Sequence, residues 1–321
     1  MTDVTIIGAG VMGLCAAYTA CKAGLTPRLI DRNGAPGPHG CSWWAGGMLA
    51  PFCEGAVAEP TIVAHGQAAA AFWAEVTDVT HRGSLVLALQ RDRAELERFA
   101  RRTCGHRWVD DPAALEPDLT QHKGALFFEA EAHLDPRRAL TRLVDALAGH
   151  GVHIERTEAT PEDMDGPVID ARGMAAALPD LRAVRGEMVV LRAPDITLSR
   201  PIRLLHPRHP LYIVPRPGGL FMLGATQLES SDRRGISARA LLELLSAAYT
   251  LDPRFAAAEL VETGADLRPA FPDNVPRVTV RGQVLHLNGL FRHGYLMAPA
   301  LARQATDYLT KGIKGDLVHE T

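Results

Sequence analysis

Lysine is almost missing from this chain: Lys22, Lys123, Lys311 and Lys314 are the whole complement, and arginine carries the remaining positive charge. The formal net charge is −3, so no long-range field draws the protein toward nucleic acid or an anionic membrane. Cysteine is sparse too. Cys15, Cys21, Cys41, Cys53 and Cys104 form no CxxC pair and no zinc-ligand spacing, and none follows Cys104. Their odd number and N-terminal clustering lead us to expect reduced thiols in the cytoplasm, with no metal site. No apolar run reaches the length of a membrane span. The first apolar run lacks a basic flank and reads as a strand, so no signal peptide is expected. What remains is 321 residues, 47% hydrophobic and 22% charged, enough for two cores.

The most informative stretch is residues 4–32. Val4-Thr5-Ile6-Ile7 reads as a buried parallel strand that enters Gly8-Ala9-Gly10-Val11-Met12-Gly13 and then an apolar helix to about Ala23. Gly24 can end that helix with a positive φ, and residues 25–30 form a second strand finishing on Asp31. Gly8 makes the tight turn, Gly10 lets the backbone approach a pyrophosphate, and Gly13 lets the helix pack closely on the strand. The phosphates would sit on the free amides of the helix N-terminus, and Asp31 would accept the ribose hydroxyls. Strand, glycines, helix, second strand and acid all occur in register, which predicts a dinucleotide site rather than an ordinary glycine turn.

Further on, Cys41-Ser42-Trp43-Trp44-Ala45-Gly46-Gly47-Met48-Leu49-Ala50-Pro51 reads either as backbone laid against a flat cofactor or as a flexible glycine loop. Residues 60–76 read as one helix, 84–89 as a strand, 91–102 as a charged helix and 125–129 as a strand. Asp135 and Pro136 have the chemistry of an N-cap and first helical position for a periodic helix over 137–148, and 152–154 follows as a strand. Residues 185–191 form a strand, 211–214 and 220–223 a hairpin, and 238–251 a helix. Tyr212 alternates away from Leu211 and Ile213, and is either a substrate anchor or a core tyrosine. Arg268 is either a carboxylate fork or a surface arginine before a proline. Residues 289–299 read as a strand end, a turn and a helix beginning near Pro299. His206 and His209 read as loop residues.

GAGVMG with Asp31, followed by SWWAGGMLAP, resembles the flavin-dependent amine oxidases of the D-amino-acid oxidase superfamily, and within it the glycine oxidases of thiamine biosynthesis. Three later segments are similar to family motifs: LYIVPR with the turn Gly224-Ala225-Thr226, the run through Leu267-Arg268-Pro269, and GLFRHGYLMAP at 289–299. The resemblance implies an α/β fold: a Rossmann-like FAD-binding domain (1–50, 136–184 and 264–321) with a discontinuous antiparallel-sheet substrate domain (51–135 and 185–263). It implies FAD, held without a covalent bond because no C-terminal thiol is present. Gly8, Gly10, Val11, Met12, Gly13, Asp31 and Arg32 would hold the nucleotide. Cys41, Ser42, Gly46, Gly47 and Met48, with Leu290, Phe291, Arg292, His293, Gly294, Tyr295 and Leu296, would line the flavin. Arg268, Tyr212 and Arg292 would form the catalytic set.

The implied reaction is oxidative deamination of glycine, sarcosine or small D-amino acids, with oxygen as acceptor and hydrogen peroxide as product, feeding thiazole synthesis. A dehydrogenase passing electrons to a quinone or carrier, and a non-enzymatic flavin redox sensor, are the alternatives. A homo-oligomer is implied as well; no nucleic-acid or membrane partner is expected. The chain departs from the pattern at Leu290 and His293, at Asp266, at the bulky Trp43 and Trp44, and in the short segment 155–167.

Overall fold

Val4–Ile7 has buried positions on both faces, the pattern of a strand inside a parallel sheet. A computed structural model describes residues 3–176, 178–206 and 211–321. Among them, the first sheet contains β1 (Val4–Ile7), β2 (Pro27–Asp31), β8 (Ile154–Arg156), β9 (Val168–Asp170), β16 (Arg277–Arg281), β17 (Val284–Asn288) and β18 (Val318–Glu320), in the order β18-β16-β17-β9-β1-β2-β8. Its pairings are parallel except β16 with β17. The helices α1 (Val11–Lys22), α6 (Pro136–Gly149) and α8 (Gly294–Lys311) bury apolar side chains against it in one core with Ile6, Leu29 and Ile169. Asp135 caps α6 as its chemistry predicts, accepting from the amides of Arg137 and Arg138, with Pro136 in the first turn.

The larger sheet holds β4 (Ser84–Ala88), β5 (Arg107–Val109), β6 (Ala125–Phe128), β10 (Arg182–Arg192), β11 (Ile202–Leu205), β12 (Leu211–Arg216), β13 (Leu220–Gly224), β14 (Leu228–Glu229) and β15 (Glu259–Ala270). Its order is β14-β10-β13-β12-β11-β4-β6-β5, with β15 also paired to β10. β12 and β13 form the expected hairpin through Gly218 and Gly219, both with positive φ. The helix α7 (Ala238–Leu251) covers one face, joining Leu244 and Ala248 to Ile213 and Leu223. β15 pairs with β10 on both sides of position 264, where the sequence reading begins its last cofactor-domain segment. A small ribbon of β3 (Met48–Leu49) and β7 (Ala132–His133) ties the glycine-rich stretch to the chain ahead of α6.

Two elements differ from the sequence reading. Residues 60–76 are not one helix but α3 (Pro60–Gly66) and α4 (Ala69–Ala74), after the short α2 (Pro51–Glu54) and before α5 (Arg93–Arg102). Gly66 lies where a Cβ would stand 2.8 Å from Leu296 Cγ, so α3 ends where it meets α8. The final long helix begins at Gly294, not near Pro299, which sits inside it. Pro299 has no N–H for the carbonyl of Tyr295 one turn back. The indole Nε1 of Trp73 donates to that oxygen instead, at 2.7 Å. Among the described residues no helix is long and apolar enough to cross a membrane.

Candidate active site

A cavity of about 880 Å³ runs along the C-terminal end of β1 and into the face of the larger sheet. It lies at the upper end of the usual range for ligand sites. At its first end Gly8 holds φ at +107°, a value side-chain-bearing residues rarely adopt. A Cβ on Gly13 would collide with the carbonyl of Gly8, so this glycine serves helix packing and does not line the cavity. Gly10 caps α1 with no side-chain acceptor, and Gly10, Val11 and Met12 face the cavity. The Asp31 carboxylate accepts from the amide of Ala9 at 2.8 Å and that of Asn33 at 2.7 Å, which fixes it at the cavity rim beside Arg32. Ser42 Oγ accepts from the amide of Val11 at 3.0 Å, joining the second glycine-rich stretch to the first.

The middle of the cavity is walled by Cys41, Ser42, Gly46, Gly47 and Met48 on one side and by Leu290, Phe291, Arg292, His293, Gly294, Tyr295 and Leu296 on the other. Burial pushes the Cys41 thiol up to about 12, so it stays protonated near neutral pH. The Tyr295 hydroxyl donates toward the carbonyls of Ser42 at 3.0 Å and Pro136 at 3.1 Å, clamping the two walls. Trp43 and Trp44 also line the cavity, and the Arg137 guanidinium lies 4.7 Å and 5.3 Å from their ring centroids. These tryptophans are therefore part of the wall, held by a cation over their faces.

The far end is a chamber of charged and phenolic groups. Arg268 lies across the backbone of β10: a Cβ on Gly186 would collide with its guanidinium. Its Nη1 donates to the carbonyl of Thr226 at 3.3 Å. The ring of Tyr212 is squeezed between two glycines, since a Cβ on Gly46 would stand 2.9 Å from Cε2 and one on Gly224 would stand 2.6 Å from the hydroxyl. Burial raises the Tyr212 phenol above its ordinary value, with Arg268, Arg203 and Arg292 opposing. Asp266 borders the chamber 3.6 Å from Arg233, and burial raises its carboxyl.

Two further residues of this chamber escaped the sequence reading. Glu54, at the end of α2, places Oε1 2.6 Å from Arg203 Nη2 and Oε2 2.6 Å from Arg292 Nη2. Burial alone would raise its carboxyl, but Arg292 and Arg203 together hold it well below the usual carboxylate range. His293 Nδ1 stands 3.5 Å from the same carboxylate, and burial lowers this imidazole to about 4, neutral near pH 7. Arg203 stands opposite Tyr212 in the β11–β12 register. Its only sequence signal was alternation with the buried Ile202 and Leu204; nothing in the sequence pairs Glu54 with it. Arg292, expected beside a substrate, is thus engaged by an internal carboxylate, whereas Arg268 keeps most of its donors free of protein acceptors. His206 follows β11, and His209 lies outside the described residues.

The residues present fit FAD. The Gly8–Gly13 turn offers amides and room for a pyrophosphate, Asp31 sets a carboxylate at the cavity rim beside that turn, and the small residues at 45–47 leave room along the wall. The family model described as FAD dependent oxidoreductase matches residues 3–308. A Rhizobium etli protein provisionally named thiamine biosynthesis oxidoreductase ThiO is 49% identical over 307 residues, 93% of this chain and 94% of its own. A glycine oxidase of Geobacillus kaustophilus is 25% identical over 358 residues, covering 96% of this chain and 93% of its own. The fold matches the crystal structure of glycine oxidase from Geobacillus kaustophilus with a TM-score of 0.81 at 24% identity, covering 98% of this chain and 96% of that one. It matches iminodiacetate oxidase from Chelativorans with a TM-score of 0.80 at 21% identity, covering 99% of each chain. The chain belongs to the FAD-dependent oxidoreductases of the D-amino-acid oxidase family, and FAD is its cofactor.

Proposed function

We propose that this protein oxidatively deaminates a small amino acid, glycine first and sarcosine or small D-amino acids next. The observation that carries this reading is Arg268: a guanidinium packed against the Gly186 backbone, near enough to Tyr212 for its charge to act on the phenol, with a single long bond to the carbonyl of Thr226. A guanidinium so placed has parallel N–H donors left for both oxygens of a carboxylate. The Tyr212 hydroxyl, protonated at neutral pH, can donate to the same group. In this reading, anchoring the carboxylate at these two points leaves the Cα of glycine to face the cofactor, so that positioning supplies much of the rate.

FAD, when bound, supplies the two-electron acceptor for the Cα–H and amine. Glu54 is held ionised by its two arginines and is poorly suited to take a proton. The substrate binds in this reading as its free amine, the ammonium proton having been left to solvent, so no carboxylate base is called for in the chamber. In this reading oxygen is the final acceptor, peroxide leaves, and the imine hydrolyses to glyoxylate and ammonia or passes into thiamine thiazole synthesis. The identity to the Rhizobium etli relative supports that last assignment.

Anaerobic absorbance of the purified yellow protein, mixed in turn with glycine, sarcosine, D-alanine and D-proline, tests the reading. Glycine should bleach the flavin band, and air should restore it with release of peroxide. A spectrum untouched by every amine would overturn the substrate assignment. Bleaching without peroxide on aeration would favour a dehydrogenase.

A further inference from the structure

Of the arginines that line the cavity, Arg203, Arg268 and Arg292 are the three whose charges act on Tyr212, while a substrate with one carboxylate needs only one. The other two are bridged by Glu54, one oxygen to each at 2.6 Å. The bridge is assembled from three separate segments: the end of α2, strand β11 beside Tyr212, and the turn before α8. The contact to Arg292 is an ion pair without the angle of a hydrogen bond, and Nε of both arginines is buried with no acceptor. The two cations therefore offer more donors than Glu54 occupies. A buried ionic bridge contributes little net stability over an apolar replacement, so stability alone does not account for one built into a cavity wall. Glu54 thus sets a carboxylate between two cations in the same cavity as Arg268.

We propose that Glu54 is a specificity-determining internal counter-ion. Its carboxylate fills an anion subsite formed by Arg203 and Arg292, so the chamber takes amino acids with a single acidic group and rejects those with a second. The inference rests on the reading of Arg268 as the carboxylate anchor. Its consequence is that removing the Glu54 charge opens the subsite to dicarboxylates.

The test uses butyrate and glutarate, which differ by one carboxylate and carry no oxidisable amine, titrated into the FAD-loaded protein. Perturbation of the flavin spectrum reads binding. Wild type should bind butyrate and discriminate against glutarate. Glu54→Gln should raise the affinity for glutarate relative to butyrate by ten-fold or more. Because that variant leaves two buried cations unpaired, the charge-balanced double variant Glu54→Gln/Arg203→Gln is measured beside it; it should show a smaller gain in the same direction, through Arg292 alone. Any variant that holds FAD and keeps the wild-type ratio of the two affinities overturns the proposal. Wild-type protein that binds neither acid removes the Arg268 anchor, and this inference with it.

Discussion

A guanidinium recognises a carboxylate through two parallel N–H···O bonds, a geometry an ammonium cannot reproduce. Arg268→Lys keeps the charge but loses the fork, and the expected fall in kcat/KM is about 100-fold, mostly in KM. Steady-state peroxide release measures it, with flavin content as the control; an unchanged KM would contradict the anchor. The motif around Arg268 was legible in the sequence, but its support was not. Gly186 takes the guanidinium because β10 and β15 pair in one particular register, which no local pattern encodes. Glu131 is a second residue whose state depends on distant packing. It is wholly buried, it accepts from the amide of Cys53 at 2.7 Å, and burial pushes its carboxyl up to about 7. The unfolded chain ionises this group near pH 4.3. Its contribution is therefore complete below that value and is lost as pH rises toward about 7, at roughly 1.4 kcal/mol per unit. Glu131→Gln should remove that slope, so that its stability relative to wild type rises by about 2–3 kcal/mol between pH 5 and pH 8. Urea midpoints at the two pH values decide it; parallel shifts in wild type and variant would refute it.

At the scale of elements, the strong local signals held: the β1–α1–β2 unit, the capped helix α6 and the β12–β13 hairpin all follow from neighbours in sequence. Helix α8 did not, because proline usually marks a helix start, and here the cost of an interior proline is met by a tryptophan more than two hundred residues away in sequence. Trp73→Phe would leave the Tyr295 carbonyl buried without a donor, an expected loss of about 1–3 kcal/mol. Pro299→Ala restores a donor within the helix. The double variant should then be more stable than the sum of the two single changes predicts, which denaturant unfolding measures as a coupling energy. Strict additivity would show that the indole bond carries no weight.

For the whole molecule, the cavity is where the two sheets meet, with its nucleotide end built from β1, β2 and α1 and its chamber from β10, β11, β12 and β15. A cofactor spanning that length ties the sheets together. Removing FAD should lower Tm, and titrating it back should raise stability with concentration, by about 2.7 kcal/mol at one hundred times Kd. Thermal scans across an FAD series check this; a melting temperature indifferent to FAD would mean the cavity is not its site. The order of strands in the larger sheet was beyond the sequence reading, since β10 pairs with β13, β14 and β15 and β11 with β4 across long stretches of chain. Glu54 and Arg203 were missed for a related reason: each is unremarkable alone, and only the packing of α2 against the sheet brings them together.

The two tryptophans beside Arg137 also give the molecule an optical gauge. Of the four tryptophans, Trp43 and Trp44 border the cavity, Trp73 is fully buried beside α8, and Trp108 is 44% exposed on β5. Indole emission overlaps the absorption of oxidised flavin, so resonance energy transfer should darken Trp43 and Trp44 whenever the cavity is filled. The fall in indole emission as FAD is added then reports the filled fraction of the cavity without any added label.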